Sequence, residues 1–428
     1  MKITKLSLAA IAAMTITTGA MASGDASEWD FSGQAVVFTQ TADGFGDESL
    51  YTKGTTYRAV GGQLRAVNKD LFSGIGAGFE ISATRSDSDS SPANIKGRPG
   101  PGFYYFAGSA GETSGGFTQA YLTANIDKTA IKAGRQTLGK GISPFAFTEG
   151  WQMFKNTMDA VKVENTNLPD TKLVYAYITN SNLSITANLN RSSFNNIGNP
   201  TAGPFANGSD RGAVDGLHMI TAQNKSLEGV TLTGTYYIAP NALANTPVGP
   251  GSGSNTINGE TSIIWGDAKF KVANVGVSLQ GGQVDPAAGT ATSAFGAKVA
   301  SKLGMVNASL AYSSIGEGTS RISNIATSIK SPLYTQMLLD NVGQYHSSPG
   351  SQFIKASGNA NVGIGKLIVS YGTAANDYIA SKDGYSEVDV MYKAKLAKNV
   401  TGFAAYGYTK ADTTESNNFV RLWGRYAF

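Results

Sequence analysis

The sequence has no cysteine among its 428 residues and only two histidines, His218 and His346. Without thiols there is no disulfide, no thiolate metal site and no cysteine nucleophile. Charged residues are sparse at 15%, and Lys and Arg never form a run, so the net charge of +4 is no signature of nucleic-acid binding. No stretch reaches the ~20 mostly apolar residues that a membrane helix needs. That excludes the helical membrane class, and any insertion into a bilayer must use strands. The G-x-S-x-G, Walker and H-E-x-x-H patterns are absent as well. His218 lies near Asp215, and His346 lies in a Ser-rich segment. Neither has a nucleophile motif beside it, so both are read as solvated or satisfied side chains and the chain as no enzyme. The Ser86–Ser91 run lacks EF-hand spacing and reads as a solvated loop, so neither a metal nor a cofactor is expected.

What is present points to strands. The chain has 52 Gly, and its mean hydropathy of −0.13 is too low for helical spans. It suits segments in which apolar and polar residues alternate. Lys2 and Lys5, the apolar run Leu6 to Ile16 and the small-x-small site Ala20-Met21-Ala22 read as a cleaved signal peptide over residues 1–22. The mature chain then starts at Ser23, and its net charge is +2. At the other end Val420, Leu422, Gly424, Tyr426 and Phe428 share one parity, while Arg421 and Arg425 occupy the other. A strand turns these two sets to opposite faces. An apolar face, a charged face and a terminal aromatic are what a barrel strand between lipid and water requires.

Alternating runs of about ten residues fill the sequence between these ends, joined in turn by tight and long links. Eighteen strands are expected in a single domain over residues 23–428. The even number places both termini on the periplasmic side. Ile75, Ala77, Phe79, Ile81 and Ala83 alternate clearly with Gly76, Gly78, Glu80, Ser82 and Thr84. Alternation is less clear between Thr137 and His218. Short links such as Ala273–Asn274 and Lys398–Asn399 are periplasmic turns, and the long loops, 86–116 and 315–351 among them, face outward.

One loop is unusual. Thr137–Met158 breaks the alternation and carries Phe145, Phe147, Trp151 and Phe154, which fit poorly in a loop surrounded by water. Folded back into the lumen, the rings pack on the inner wall, and Glu149 and Asp159 come to the channel axis. Opposite them the inward parity supplies Arg65, Lys132, Lys269, Lys298, Lys355, Lys393, Arg421 and Arg425, with Arg135 added by a local bulge. Opposed charges across a narrow aqueous gap tune ion selectivity.

The segments Lys132-Ala133-Gly134-Arg135-Gln136-Thr137, Asn167-Leu168-Pro169-Asp170-Thr171, Ala222-Gln223-Asn224-Lys225-Ser226-Leu227 and Ser331-Pro332-Leu333-Tyr334-Thr335 resemble, in this order, the major outer-membrane porins of campylobacter-type bacteria and their OprD-like relatives. The resemblance spans the mature chain. It implies an eighteen-stranded outer-membrane porin, commonly a homotrimer, whose third loop narrows a water-filled channel for ions and small hydrophilic solutes. Glu149 takes the place of the loop carboxylate. Outer-membrane lipid and the barrel-assembly machinery are the expected partners, the latter through Tyr426 and Phe428. Two other readings stand beside it: a substrate-selective channel of the same fold, and an adhesin or receptor barrel acting through loops 86–116 and 315–351. The chain is too short for the twenty-two strands of a TonB-dependent transporter, and no plug domain precedes its first strand.

Overall fold

The computed structural model describes residues 29–43, 49–52, 55–86, 113–182, 195–196, 212–213, 215–246, 255–287, 289–327, 330–339, 345–376, 384–412 and 416–428. The signal-peptide residues 1–22, the start at Ser23 and most of the loop 86–116, including the Ser-rich run after Ser86, lie outside them.

Eighteen strands form the wall. They are β1 Trp29–Ala42, β2 Thr56–Phe72, β3 Ile75–Ser86, β4 Thr113–Ile126, β5 Thr129–Gln136, β6 Met158–Asn165, β7 Thr171–Ser181, β8 Leu217–Asn224 and β9 Thr231–Thr246. The second half follows with β10 Asn255–Val272, β11 Val275–Asp285, β12 Thr292–Leu303, β13 Val306–Ile315, β14 Ser351–Val362, β15 Gly365–Asn376, β16 Tyr385–Ala397, β17 Val400–Ala411 and β18 Asn417–Ala427. Each is antiparallel to its sequence neighbours, and β18 pairs with β1, from Gln34↔Ala427 to Ala42↔Phe419. The result is a closed antiparallel barrel without a free edge, which is how strands satisfy every backbone polar group in lipid. The two-residue pairings Asn195–Asn196 on β7 and Gly212–Ala213 on β9 add to the rim.

The short links are tight turns that use left-handed backbone. Ser73 and Gly74 have φ of 48° and 84°, the pattern of a two-residue hairpin turn, and Ala273 takes φ 52° in the same role. Several strands run further than the alternation suggests, β9 and β10 above all. Their extra residues lie at the end opposite the short turns, where the sequence is polar and its pattern weak.

Parity divides the wall as expected. Val37, Ile81, Phe117, Ile264, Leu310 and Leu422 are exposed on the outer face, and so are Tyr175, Tyr236, Tyr371 and Tyr406. On the inner face Val36, Phe38, Tyr237, Trp265 and Phe353 are buried. They are covered because chain lies inside the barrel. At the seam, the Gly33 amide donates to the Phe428 carbonyl (2.9 Å) and the Phe428 amide to the Gly33 carbonyl (3.0 Å). The Phe428 ring occupies the place where a side chain at Gly33 would be: a Cβ there would stand 2.4 Å from it.

Candidate functional site

Two segments fill the upper lumen. The first, residues 137–157 between β5 and β6, contains the aromatic run. Phe145 sits edge-on to Trp265 and Tyr237, with centroids 5.2 and 6.2 Å apart. Its amide donates to the Tyr237 hydroxyl (3.1 Å), and Thr221 donates to the Ile142 carbonyl (2.7 Å). Met153 and Phe154 pack with Val36, Phe38, Tyr57 and Ala59. Gly61 makes room for them, since a Cβ there would lie 2.5 Å from the Met153 sulfur. Trp151 packs on Phe403 and Phe419.

The second segment, residues 316–350 between β13 and β14, corrects an expectation. As a long link it is expected to face outward. Among its described residues Ile322, Asn324, Leu333, Thr335, Met337, Leu338 and Leu339 are buried inside the barrel. Its apolar side chains need cover that only the lumen provides. Glu387 and Asp389, two apart on the inner face of β16, accept the backbone amides of Leu339 (2.5 Å) and Leu338 (3.0 Å). Lys355 donates to the Gln336 carbonyl (2.6 Å), and Lys330 donates to those of Leu338 (2.9 Å) and Met337 (3.2 Å). Tyr334 hydrogen-bonds the Asp267 carboxylate, which also pairs with Lys269 at 2.8 Å.

Glu149 joins the two segments and is only 4% exposed, so it does not stand free on the channel axis. Its Oε1 accepts from Asn324 Nδ2 (2.7 Å), the Lys330 amide (3.2 Å) and the Thr327 hydroxyl. Asn324 in turn exchanges hydrogen bonds with the Phe147 backbone. Burial pushes the Glu149 carboxyl above its ordinary range, opposed by these donors and by the Lys330 charge. Burial pushes the Lys330 ammonium down, with Glu149 opposing. The partner of Glu149 is thus the second segment, which the sequence reading had placed outside, and not the arginines of the wall.

Arg421, expected to line the pore, is fully buried. Its Nη1 donates to the Trp151 carbonyl (2.7 Å), its Nη2 to Gln40 Oε1 (2.6 Å), and the guanidinium lies 4.0 Å over the Trp151 ring. Arg425 reaches the Met153 carbonyl (3.3 Å) and is half-buried. Both arginines anchor the first segment. Asp159 and Arg135 also depart from expectation. They form a bidentate pair (2.8 and 3.2 Å) and are register partners. The same registers align Lys132 with Lys162 and Gln136 with the fully buried Met158. Alternation therefore turns Arg135 and Asp159 to the outer side of the wall, and no bulge brings Arg135 in.

The charged wall residues open to lumen water are mostly basic. Arg65 donates to the Tyr121 hydroxyl (3.1 Å), and the Lys132 ammonium lies 3.4 Å from that ring's centroid. Lys162 and Lys172 flank Glu164 (2.5 and 3.3 Å), and Lys298 and Lys393 share the inward parity. Among the described residues the inward acids are otherwise Asp30, 4.0 Å from Lys69, Glu80, held by Thr118 and Gln119 (both 2.8 Å), and the engaged Asp267, Glu387 and Asp389. Lys140, at the exposed tip Gly139-Lys140-Gly141 of the first segment, went unnoticed in the sequence. Flanking glycines within an inward loop are the signal that marks it. His218 shares a hydrogen bond with the Tyr175 hydroxyl (2.9 Å) on the outer face, and burial holds His346 well below its ordinary range.

No protein-family model matches the chain, and no curated protein matches it. Solved structures do. The crystal structure of Pseudomonas aeruginosa OccK3 (OpdO) has a TM-score of 0.66 at 9% identity, covering 94% of this chain and 96% of that one. Pseudomonas aeruginosa OccK8 (OprE) has 0.67 at 12%, covering 94% and 98%. Pseudomonas aeruginosa OpdK with vanillate has 0.69 at 12%, covering 93% and 98%. At such identities the likeness is one of fold: this chain is an eighteen-stranded antiparallel barrel folded as those proteins are.

Proposed function

We propose that the protein is an outer-membrane porin through which ions and small hydrophilic solutes diffuse passively, with anions favoured. One observation carries the charge preference. Among the described residues, lumen-facing acids are hydrogen-bonded or paired with lysines, whereas Arg65, Lys132, Lys140, Lys298 and Lys393 face water without a carboxylate within ion-pair distance. A low-dielectric wall with an excess of one sign raises the local concentration of counter-ions. The apolar outer face and the closed wall support the outer membrane as its location. Residues 137–157 and 316–350 together form the constriction.

The same proposal includes export through cleavage of residues 1–22, assembly through the strand ending in Tyr426 and Phe428, and a homotrimer. Planar-bilayer recording of the full mature barrel tests the channel itself. Stepwise conductance is expected, and a folded barrel that inserts and passes no current would refute it.

A substrate-selective channel is the second reading. The observation that favours it is the Lys132–Tyr121–Arg65 group, a ring bracketed by two cations. A structural neighbour was solved with vanillate, an aromatic carboxylate. Saturation of the current by such a solute separates this reading from general diffusion.

A further inference from the structure

We infer that Lys140 is the residue that sets the charge preference of the constriction, a role that rests on the channel reading above. Among the described residues, most other charges on the two inward segments or their immediate supports are engaged in holding chain, Lys155 and Glu317 being exposed. Glu149 ties the segments together, Lys330 and Lys355 hold the carbonyls of residues 336–338, and Glu387 and Asp389 hold the amides of Leu338 and Leu339. Arg421 holds the Trp151 carbonyl. Lys140 differs in being exposed on the first segment while its ammonium is held against the second. It sits between Gly139 and Gly141, and a Cβ built on either glycine meets nothing within 4 Å, so the tip projects into open lumen. One hydrogen bond, to the Ser331 carbonyl at 2.8 Å, steers the ammonium beside the second segment, 5.3 Å from the Phe147 ring centroid. A neutral carbonyl positions the charge without cancelling it.

The groups facing Lys140 come from every element around the tip. Glu149 lies on its own segment, Lys330 on the second segment, Lys355 on β14 and Lys269 on β10. Surrounding protein displaces water from the ammonium and the three lysines repel it, while Glu149 opposes them, so its pKa comes down to about 8. An ordinary lysine stays charged to about pH 10. The filter charge therefore weakens between about pH 7 and 9. A unit charge ~7 Å from a passing ion in water changes the population of each ion sign by about twofold at low salt.

The test is the reversal potential of the mature barrel in a KCl gradient at low ionic strength, from pH 6 to 10, for wild type, Lys140→Gln and Lys140→Arg. Wild type should lose at least about half of its anion-to-cation permeability ratio across a step centred near pH 8. Lys140→Gln should show the reduced ratio at every pH, and Lys140→Arg should keep the high ratio to pH 10. Because the tip is exposed, all three should assemble alike. Conducting channels with the same ratio and the same pH step in Lys140→Gln would overturn the role of Lys140 and leave the porin reading intact. Folded wild-type barrels that pass no current would overturn both.

Discussion

The Arg421 guanidinium lies 4.0 Å over the Trp151 ring and donates to the Trp151 carbonyl, so a strand near the C-terminus clamps the inward loop 270 residues earlier. The charge expected to face the pore is spent as a fastener. Arg421→Ala should leave the Trp151 carbonyl and Gln40 without their donor, at a local cost of about 3 kcal/mol. Single-channel records should then show a larger, noisier conductance with little change in ion preference. A quiet channel of wild-type size with altered selectivity would mean that Arg421 lines the water path after all.

Glu149→Ala should loosen the clasp between the two inward segments. The carboxylate accepts from Asn324, Thr327 and the Lys330 amide, and hydrogen bonds to a charged group contribute about 1.5–3 kcal/mol each. Cysteine labelling reads the effect. A cysteine at 326, where Ala326 is buried in the parent, should become reactive in the Glu149→Ala background, and unchanged protection would contradict the clasp. Losing the carboxylate also leaves Lys330 less compensated, so the anion preference should rise modestly.

The alternation of Ile75, Phe79 and Ile81 made the wall legible, because a strand between lipid and water must sort its residues by parity. The aromatic run Phe145 to Phe154 made the first inward segment legible, because four large rings in one loop need a surface to cover them. The second segment was hidden. Ile322, Leu333 and Leu338 are spread thinly among polar residues, and the acids that hold the amides of Leu338 and Leu339, Asp389 and Glu387, come from a strand about fifty residues later. Two inward acids two apart, together with the apolar triplet Met337-Leu338-Leu339 in a loop, form the combined signal that reveals it. Arg135 was misplaced because its outward side follows from pairing with Asp159, and register is not written in one strand alone.

The seam gives a prediction about assembly. Gly33→Val would put a Cβ 2.4 Å from the Phe428 ring and 2.6 Å from the Gln63 carbonyl, and the latter, being backbone, cannot yield easily. That variant should lose the heat-modifiable gel shift of a closed barrel, as should deletion of Phe428. Gly424→Ala, whose Cβ meets nothing within 4 Å, should fold as the parent does. Normal closure in Gly33→Val would show that the terminal ring does not seal the seam.

On the proposed reading, a basic lumen passes anions in preference to cations. The most direct measurement is the zero-current potential of the wild-type barrel in a tenfold KCl gradient, taken first at low and then at high salt near pH 7. The charge distribution predicts stepwise conductance and a chloride-favouring potential that shrinks at 1 M salt, where the Debye length falls to ~3 Å. A potassium-favouring potential at low salt would contradict it.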